Sequence, residues 1–294
     1  MTSVLYDAPG PRAKRRNVLY TIGFFVVLGA VSWWVLTTMA DKNQLAAEKW
    51  SPFVKDSNVW TTFLLPGLWE TVKAAGLAVV IALPLGAVLG IGRLSDHVWV
   101  RVPVGAVVEF FRAIPVLMLM LFSFSALAQF TDIESEIRPL YAVVTGLVLY
   151  NASVIAEVVR AGILSLPSGQ TDAAKAIGMT KSQTMTFVLL PQAVTAMLPA
   201  LVSQLVVIVK DTALGGVLLG LGELLFQARP IMANYGANTI ATLVVISLIY
   251  IVLNFILTSI AGALERHARR APKSTGAVVD MEKVDAGIGG GGGA

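Results

Sequence analysis

The chain has 294 residues, of which 56% are hydrophobic and 14% charged, with a mean hydropathy of +0.75. A soluble domain carries about 25% charged residues, so a water-soluble globule is excluded and an all-α polytopic membrane protein is expected. The net charge of +4 sits beside apolar runs, which argues against nucleic-acid binding, and the lack of cysteine excludes disulfides, thiolate zinc sites and iron–sulfur clusters.

Residues 1–17 form a polar opening with Pro9, Pro11, Arg12, Lys14, Arg15 and Arg16. The apolar run 18–39 (Val18 to Met39) is long enough to span a bilayer. A secretory signal would be shorter and would end in a small-x-small site, which is missing before Asp41. A retained helix with a cytoplasmic N-terminus is therefore expected. Residues 40–62 mix charges with Trp50, Phe53 and Trp60, as befits an extracytoplasmic loop at the interface. The second span is expected from Phe63 to Arg93. Glu70 and Lys73 are spaced to pair, and Pro84 and Gly86 predict a kink.

Arg93, Asp96, His97 and Arg101 form a short inner loop, and a third span runs from Val104 to Phe130. It carries Glu109 and Arg112 three apart, then Pro115. The acidic loop of Asp132, Glu134 and Glu136, with Arg138, belongs outside. The fourth span, Leu140 to Leu164, contains Asn151 and repeats the spacing with Glu157 and Arg160. Polar groups at such depth face protein or water, not lipid. Both Glu/Arg couples read as structural ion pairs along one helix face.

Residues 165–191 are the longest polar interruption of the second half. Thr171 is placed to cap a short helix, with Asp172 near its positive end. Ala173, Ala174 and Ala176 favour helix. Gly178 ends it, and a second short helix starts at Thr180 or Lys181, outside the lipid. A fifth span begins near Val188, contains Pro191 and Pro199, and is expected to break at Lys210, Asp211 and Thr212. The glycine-rich piece from Leu214 to Phe226 would be ~20 Å long as helix, too short to cross, and reads as a re-entrant or gating segment.

Gln204 and Asp211 share a helix face, as do Ser203 and Lys210. With Thr212 and Asn151 they are candidates for a substrate path. Lys210 suits a carboxylate, and Asp211 suits an α-ammonium or holds Lys210. The blander reading is a snorkelling pair at the outer interface. The last span, Thr239 to Leu264, ends in Glu265, Arg266, Arg269, Arg270 and Lys273, and residues 267–294 read as a disordered cytoplasmic tail. Six spans from an inner N-terminus place the basic clusters inside. No G-x-x-x-x-G-K-[ST] is present, so ATP chemistry would belong to another chain.

The string Asp172-Ala173-Ala174, three residues, Gly178, nine residues, then Val188-Leu189-Leu190-Pro191 resembles the cytoplasmic loop of binding-protein-dependent ABC importer permeases. That family's pattern is E-A-A, three residues, G, nine residues, I-x-L-P. Here Asp replaces Glu and Val replaces Ile. The stretches EFFRAIPVL and YNASVIAEVVRAGI resemble segments of the permeases for histidine, glutamine and glutamate. The opening SVLYDAPGPRAKRR resembles actinobacterial glutamate-uptake permeases. The likeness runs from about Thr61 to Arg266.

The resemblance implies a type I importer permease with a five-helix core (63–266) and one added helix. Asp172, Ala173, Ala174, Gly178 and Pro191 would form the ATPase-coupling element. Partners would be a second permease, identical or paralogous, two ATP-binding subunits and an extracytoplasmic substrate-binding protein. ATP and Mg would bind those partners, with no cofactor on this chain and no enzyme activity of its own. The setting would be a bacterial plasma (inner) membrane, multi-pass, with both termini cytoplasmic. The cargo would be a polar amino acid, glutamate or a related acid foremost; Lys210 adds secondary support. An ion-coupled secondary transporter is the alternative, since it accommodates a broken helix and membrane charges but not the patterned loop.

Overall fold

The structure, a computed structural model, describes residues 10–270. The first part of the basic opening and most of the tail, with Lys273, lie outside the described residues. Those described are helical and carry no strand.

The helix α1 (Pro11–Asp41) has no buried residue, and its Trp, Phe and Val side chains are exposed all round. Two short helices follow, α2 (Ala47–Trp50) and α3 (Pro52–Lys55). A π-helical turn, Val59–Leu64, leads directly into α4 (Leu65–Gly92). Pro84 lies inside α4, which stays one helix. The expected third span is two pieces. α5 (Val98–Ala113) and α6 (Val116–Phe130) meet at a 100° bend. Pro115 explains it: proline disfavours helical geometry at the residue before it, and Ile114 is extended at φ −90°, ψ 129°. α7 (Arg138–Leu164) is the most buried span.

α8 (Ser168–Ala176) starts earlier than expected. Its cap position is Pro167, so Thr171 lies inside it and caps nothing. Gly178 does end the turn, at φ +80°, a left-handed conformation that L side chains rarely adopt. Thr180 then caps α9 (Lys181–Gln183) in a reciprocal box with Gln183. α9 is not a free-standing short helix outside the span. It runs through a π-helical turn, Thr184–Leu189, into α10 (Leu190–Leu219), so one apolar span covers Lys181–Leu219. The expected break at Lys210–Thr212 is absent. In lipid the backbone groups must be satisfied within the helix, so it runs on through Gly215 and Gly216 to Gly220, whose φ of +78° stops it. The segment after it holds turns and α11 (Ala228–Asn234), not a 13-residue re-entrant helix. α12 (Thr239–Arg270) closes the chain. Among the described residues, by length and composition, five helices qualify as spans, or six with the bent pair as one.

The chain divides into two compact units. One unit comprises the residues up to Lys73 with Ala213–Ile251. Its core joins Phe53, Val59 and Leu64 to Leu224, Ile231 and Ile246. The 44–56 segment clasps residues 235–240. Lys49 donates to the Gly236 carbonyl, and Tyr235 Oη donates to Asp56 at 2.7 Å. That bond holds the Asp56 carboxyl below its ordinary value and raises the Tyr235 phenol. Glu223 is fully buried and accepts from the Leu225 and Phe226 amides and from Tyr250 Oη. It packs on Gly216, where a Cβ would collide with its carboxylate.

The other unit comprises Ala74–Thr212 and the residues from Val252. Here α4 and α7 approach backbone to backbone. A Cβ on Gly86 would lie 2.8 Å from the Ala152 carbonyl, and one on Gly90 would lie 2.7 Å from that of Ala156. Without a hydrophobic driving force between helices in lipid, small residues earn contact through close van der Waals packing. Gly146 of α7 admits Met120 of α6 in the same way.

Candidate functional site

The patterned loop folds as one helix, a glycine corner and a capped helix start. On α8, Ala174 is buried against the unit, while Asp172, Ala173 and Ile177 are exposed, Ile177 at 78%. This leaves a small-residue face with an apolar tip free for a partner. Gly178 forms the corner, and Pro191 lies within the first turn of α10. Gln192 donates to Gln170 at 3.2 Å, tying α10 to α8.

The corner is also tied to the inner loop. Lys181 pairs with Asp96 and donates to the Leu94 carbonyl at 3.1 Å. The Lys181 bond, foremost, holds the Asp96 carboxyl below its ordinary value. One step back along the chain, Arg93 donates to Glu157 of α7 at 2.7 Å and to Glu109 of α5 at 3.0 Å. Both sequence-predicted couples are present, Arg112–Glu109 at 3.5 Å and Arg160–Glu157 at 2.9 Å. Arg112 also approaches Glu157 at 3.7 Å. The two couples are thus one cluster across three elements, with Arg93 at its centre.

These contacts close a ring. α7 leads into α8, Gly178 leads to Lys181, Lys181 holds Leu94 and Asp96, and Arg93 returns to Glu157 on α7. Sequence reasoning missed Arg93. Each Glu/Arg couple looked neutral by itself, so nothing demanded a third cation. The available signal was an arginine at the end of an apolar span.

The substrate-path candidates are only partly assembled. Gln204 donates to Asn151 Oδ1, joining α10 to α7, and Asn151 is fully buried. Thr212 is buried and donates to the Val209 carbonyl at 2.7 Å. Lys210 is exposed and Asp211 half-buried on an unbroken helix. Ser203, one turn-pair earlier, is exposed as well. The support that a helix break would have supplied is gone. What remains is an exposed polar strip on an apolar span, and such a strip faces protein or water. No group of three or more metal-ligating side chains occurs among the described residues.

The family described as the binding-protein-dependent transport system inner membrane component matches residues 82–270. The glutamate transport system permease protein GluD of Corynebacterium glutamicum is 47% identical over 252 residues, 85% of this chain and 91% of that one. The chain belongs to this permease family. The probable glutamine ABC transporter permease protein GlnP of Bacillus subtilis is 30% identical, covering 69% of the chain and 92% of the relative. A solved structure of an amino acid ABC transporter with histidines superposes with a TM-score of 0.63 at 29% identity, over 71% of this chain and 95% of that chain.

The permease is therefore a multi-pass inner-membrane protein of an amino-acid ABC importer. It works with a separate ATPase and a substrate-binding protein, and the ion-coupled alternative falls away. The match covers residues 165–191, the ionic cluster and the Asn151–Gln204 contact.

Proposed function

We propose that this permease carries an acidic amino acid, glutamate foremost, inward through the membrane. The observation that carries the reading is the 47% identity, along nearly the whole of both chains, to a permease named for glutamate transport. A second permease copy, identical or paralogous, completes the path, with two ATP-binding subunits below and a binding protein above. Both termini and the 165–191 loop are cytoplasmic, because basic residues flank those segments.

In this reading the exposed face of α8, with Asp172 and Ala173, docks on the ATPase. Ala174 seats α8 on its own unit, Gly178 shapes the corner, and Pro191 opens the long span behind it. ATPase closure pushes on α8, and the ring through Lys181 and Arg93 passes the push to α5 and α7. Lys210 faces the path and meets the cargo carboxylate. Asp211 and Thr212 line the same turn, and Asn151 with Gln204 sets the spacing between α7 and α10. The ATP and Mg stay on the partner chains.

Uptake by the reconstituted complex, measured against a panel of labelled amino acids, tests this. Glutamate and aspartate should be preferred, and Lys210→Ala should weaken that preference while basal ATP hydrolysis continues. Unchanged rate and selectivity in both Lys210→Ala and Gln204→Ala would remove these residues from the path.

A further inference from the structure

A cavity of about 530 Å³ lies behind the coupling helix, between α8, the end of α7 and the start of the long span. That volume suits a small organic ligand or one portion of a larger one. Its wall is apolar, made of Ile163, Leu164, Leu166, Met185 and Leu189. Ser168, Thr171 and Lys175 of α8 contribute polar groups at its edge. Asp96 and Lys181 also line it, and they neutralise each other.

Two features call for an occupant. Thr184 lines the cavity, is 3% exposed, and its hydroxyl has no hydrogen-bond partner. A buried hydroxyl left unpaired is costly, so such groups ordinarily have a partner. Lys175 lines the same cavity and takes part in no salt bridge among the described residues. The lining therefore carries one uncompensated positive charge, an unpaired hydroxyl and an apolar wall. That combination fits an amphiphile with an anionic head.

We infer that this cavity binds an acidic phospholipid of the inner leaflet, with its phosphate near Lys175 and Thr171 and acyl carbons against Ile163, Met185 and Leu189. Thr184 donates its hydroxyl to the head or glycerol region. Basic pockets between helices on the cytoplasmic side of a membrane are suited to such heads. The source is the membrane because the wall includes Leu164, which is 58% exposed at the end of a membrane span. The inference rests on the cytoplasmic placement of the 165–191 loop proposed above. A lipid seated here braces α8 from behind, so the coupling helix works against lipid as well as protein.

The test uses the purified permease–ATPase complex in lipid nanodiscs containing a phosphatidylglycerol probe with a photoreactive acyl chain. Labelled peptides are mapped by mass spectrometry. Labelling of 163–189 should exceed that by a matching phosphatidylcholine probe. It should fall about fivefold in Lys175→Gln, the effect of one lysine beside an anionic head. It should also fall in Thr184→Val, which keeps the side chain's shape and removes only the hydroxyl. Labelling of α1 serves as the internal reference and should not change. Equal labelling by the two probes would overturn the inference, as would labelling unaffected by both variants. Displacement of the probe by soluble glycerol 3-phosphate would overturn the lipid assignment and point to a free anion. The loop's sidedness is checked separately by the cysteine labelling described in the Discussion, so failure there is told apart from failure here.

Discussion

The Arg93 guanidinium, just past the end of α4, donates to the Glu157 carboxylate of α7 at 2.7 Å. The arginine side chain is only 14% exposed and the glutamate 30%. A pair so placed is weakly screened, and losing Arg93 leaves Glu157 with Arg160 and the more distant Arg112 but severs α4's end from α5 and α7. Arg93→Gln should destabilise the permease by about 1–3 kcal/mol, the scale of a charge-assisted hydrogen bond. It should also cut transport more than it cuts ATP hydrolysis, because the ring is opened while the exposed face of α8 is unchanged. Comparing uptake per ATP hydrolysed in native and Arg93→Gln complexes checks this. An unchanged ratio would confine Arg93 to stability.

The corner at Gly178 yields a graded expectation. Its φ of +80° costs an L residue about 1–2 kcal/mol, least for asparagine. Gly178→Asn should retain most ATPase co-purification, Gly178→Val less, and Gly178→Pro almost none. Equal co-purification across the three would show that the corner does not depend on this backbone conformation.

A third expectation concerns the α4–α7 contact. A Cβ on Gly86 would sit 2.6 Å from Ile155 Cγ2, and one on Gly90 would sit 2.7 Å from the Ala156 carbonyl. Overpacking of this kind costs about 1–3 kcal/mol, more when backbone blocks the way. Gly86→Val and Gly90→Val should therefore lower the melting temperature and yield of the complex. Gly76, on the same helix, has nothing within 4 Å of its virtual Cβ. Gly76→Ala should be neutral or stabilising by up to about 1 kcal/mol. Melting curves for the three variants separate crowding from general intolerance of α4.

The pH response of the Lys181–Asp96 tether follows from its direction of shift. The Lys181 hydrogen bond lowers the Asp96 carboxyl from 3.8, with burial acting the opposite way. A depressed carboxyl contributes stability above its unfolded value and loses it as pH falls through its folded value. The melting difference between native and Asp96→Asn complexes should thus stay level from about pH 5 to 8 and shrink only below 3.8. A difference that disappears between about pH 6 and 7 would mean that another group controls the tether.

Sidedness is testable because the chain has no cysteine. A cysteine at Ser135 should react with an impermeant thiol reagent outside intact cells, whereas one at Lys181 should not. The opposite labelling would invert the arrangement of loops.

Much of this was legible in the residues. Apolar length marked the spans, and Gly178 marked the corner that ends α8. A helix start at Thr180 or Lys181 was expected after Gly178, and the structure shows Thr180 capping it reciprocally with Gln183. Other features depend on partners distant in the chain. Lys210, Asp211 and Thr212 look like a helix break, yet three polar residues do not end a helix when their backbone hydrogen bonds continue. The 100° bend before Pro115 was hidden because the two pieces together are long and apolar enough to read as one span. Arg93 could not be assigned until α5 and α7 were seen beside it, and the empty hydroxyl of Thr184 is invisible without its surroundings.

The central claim is that this permease imports glutamate on the power of a separate ATPase coupled through the 165–191 loop. The direct measurement is accumulation of labelled glutamate by proteoliposomes holding the complete complex and its binding protein. ATP and Mg are supplied on the ATPase side, with proton and sodium gradients collapsed. Uptake should require ATP, persist without gradients, and be lost in Gly178→Pro. Glutamate uptake that follows an imposed ion gradient without ATP, or that survives Gly178→Pro at the native rate, would contradict the account.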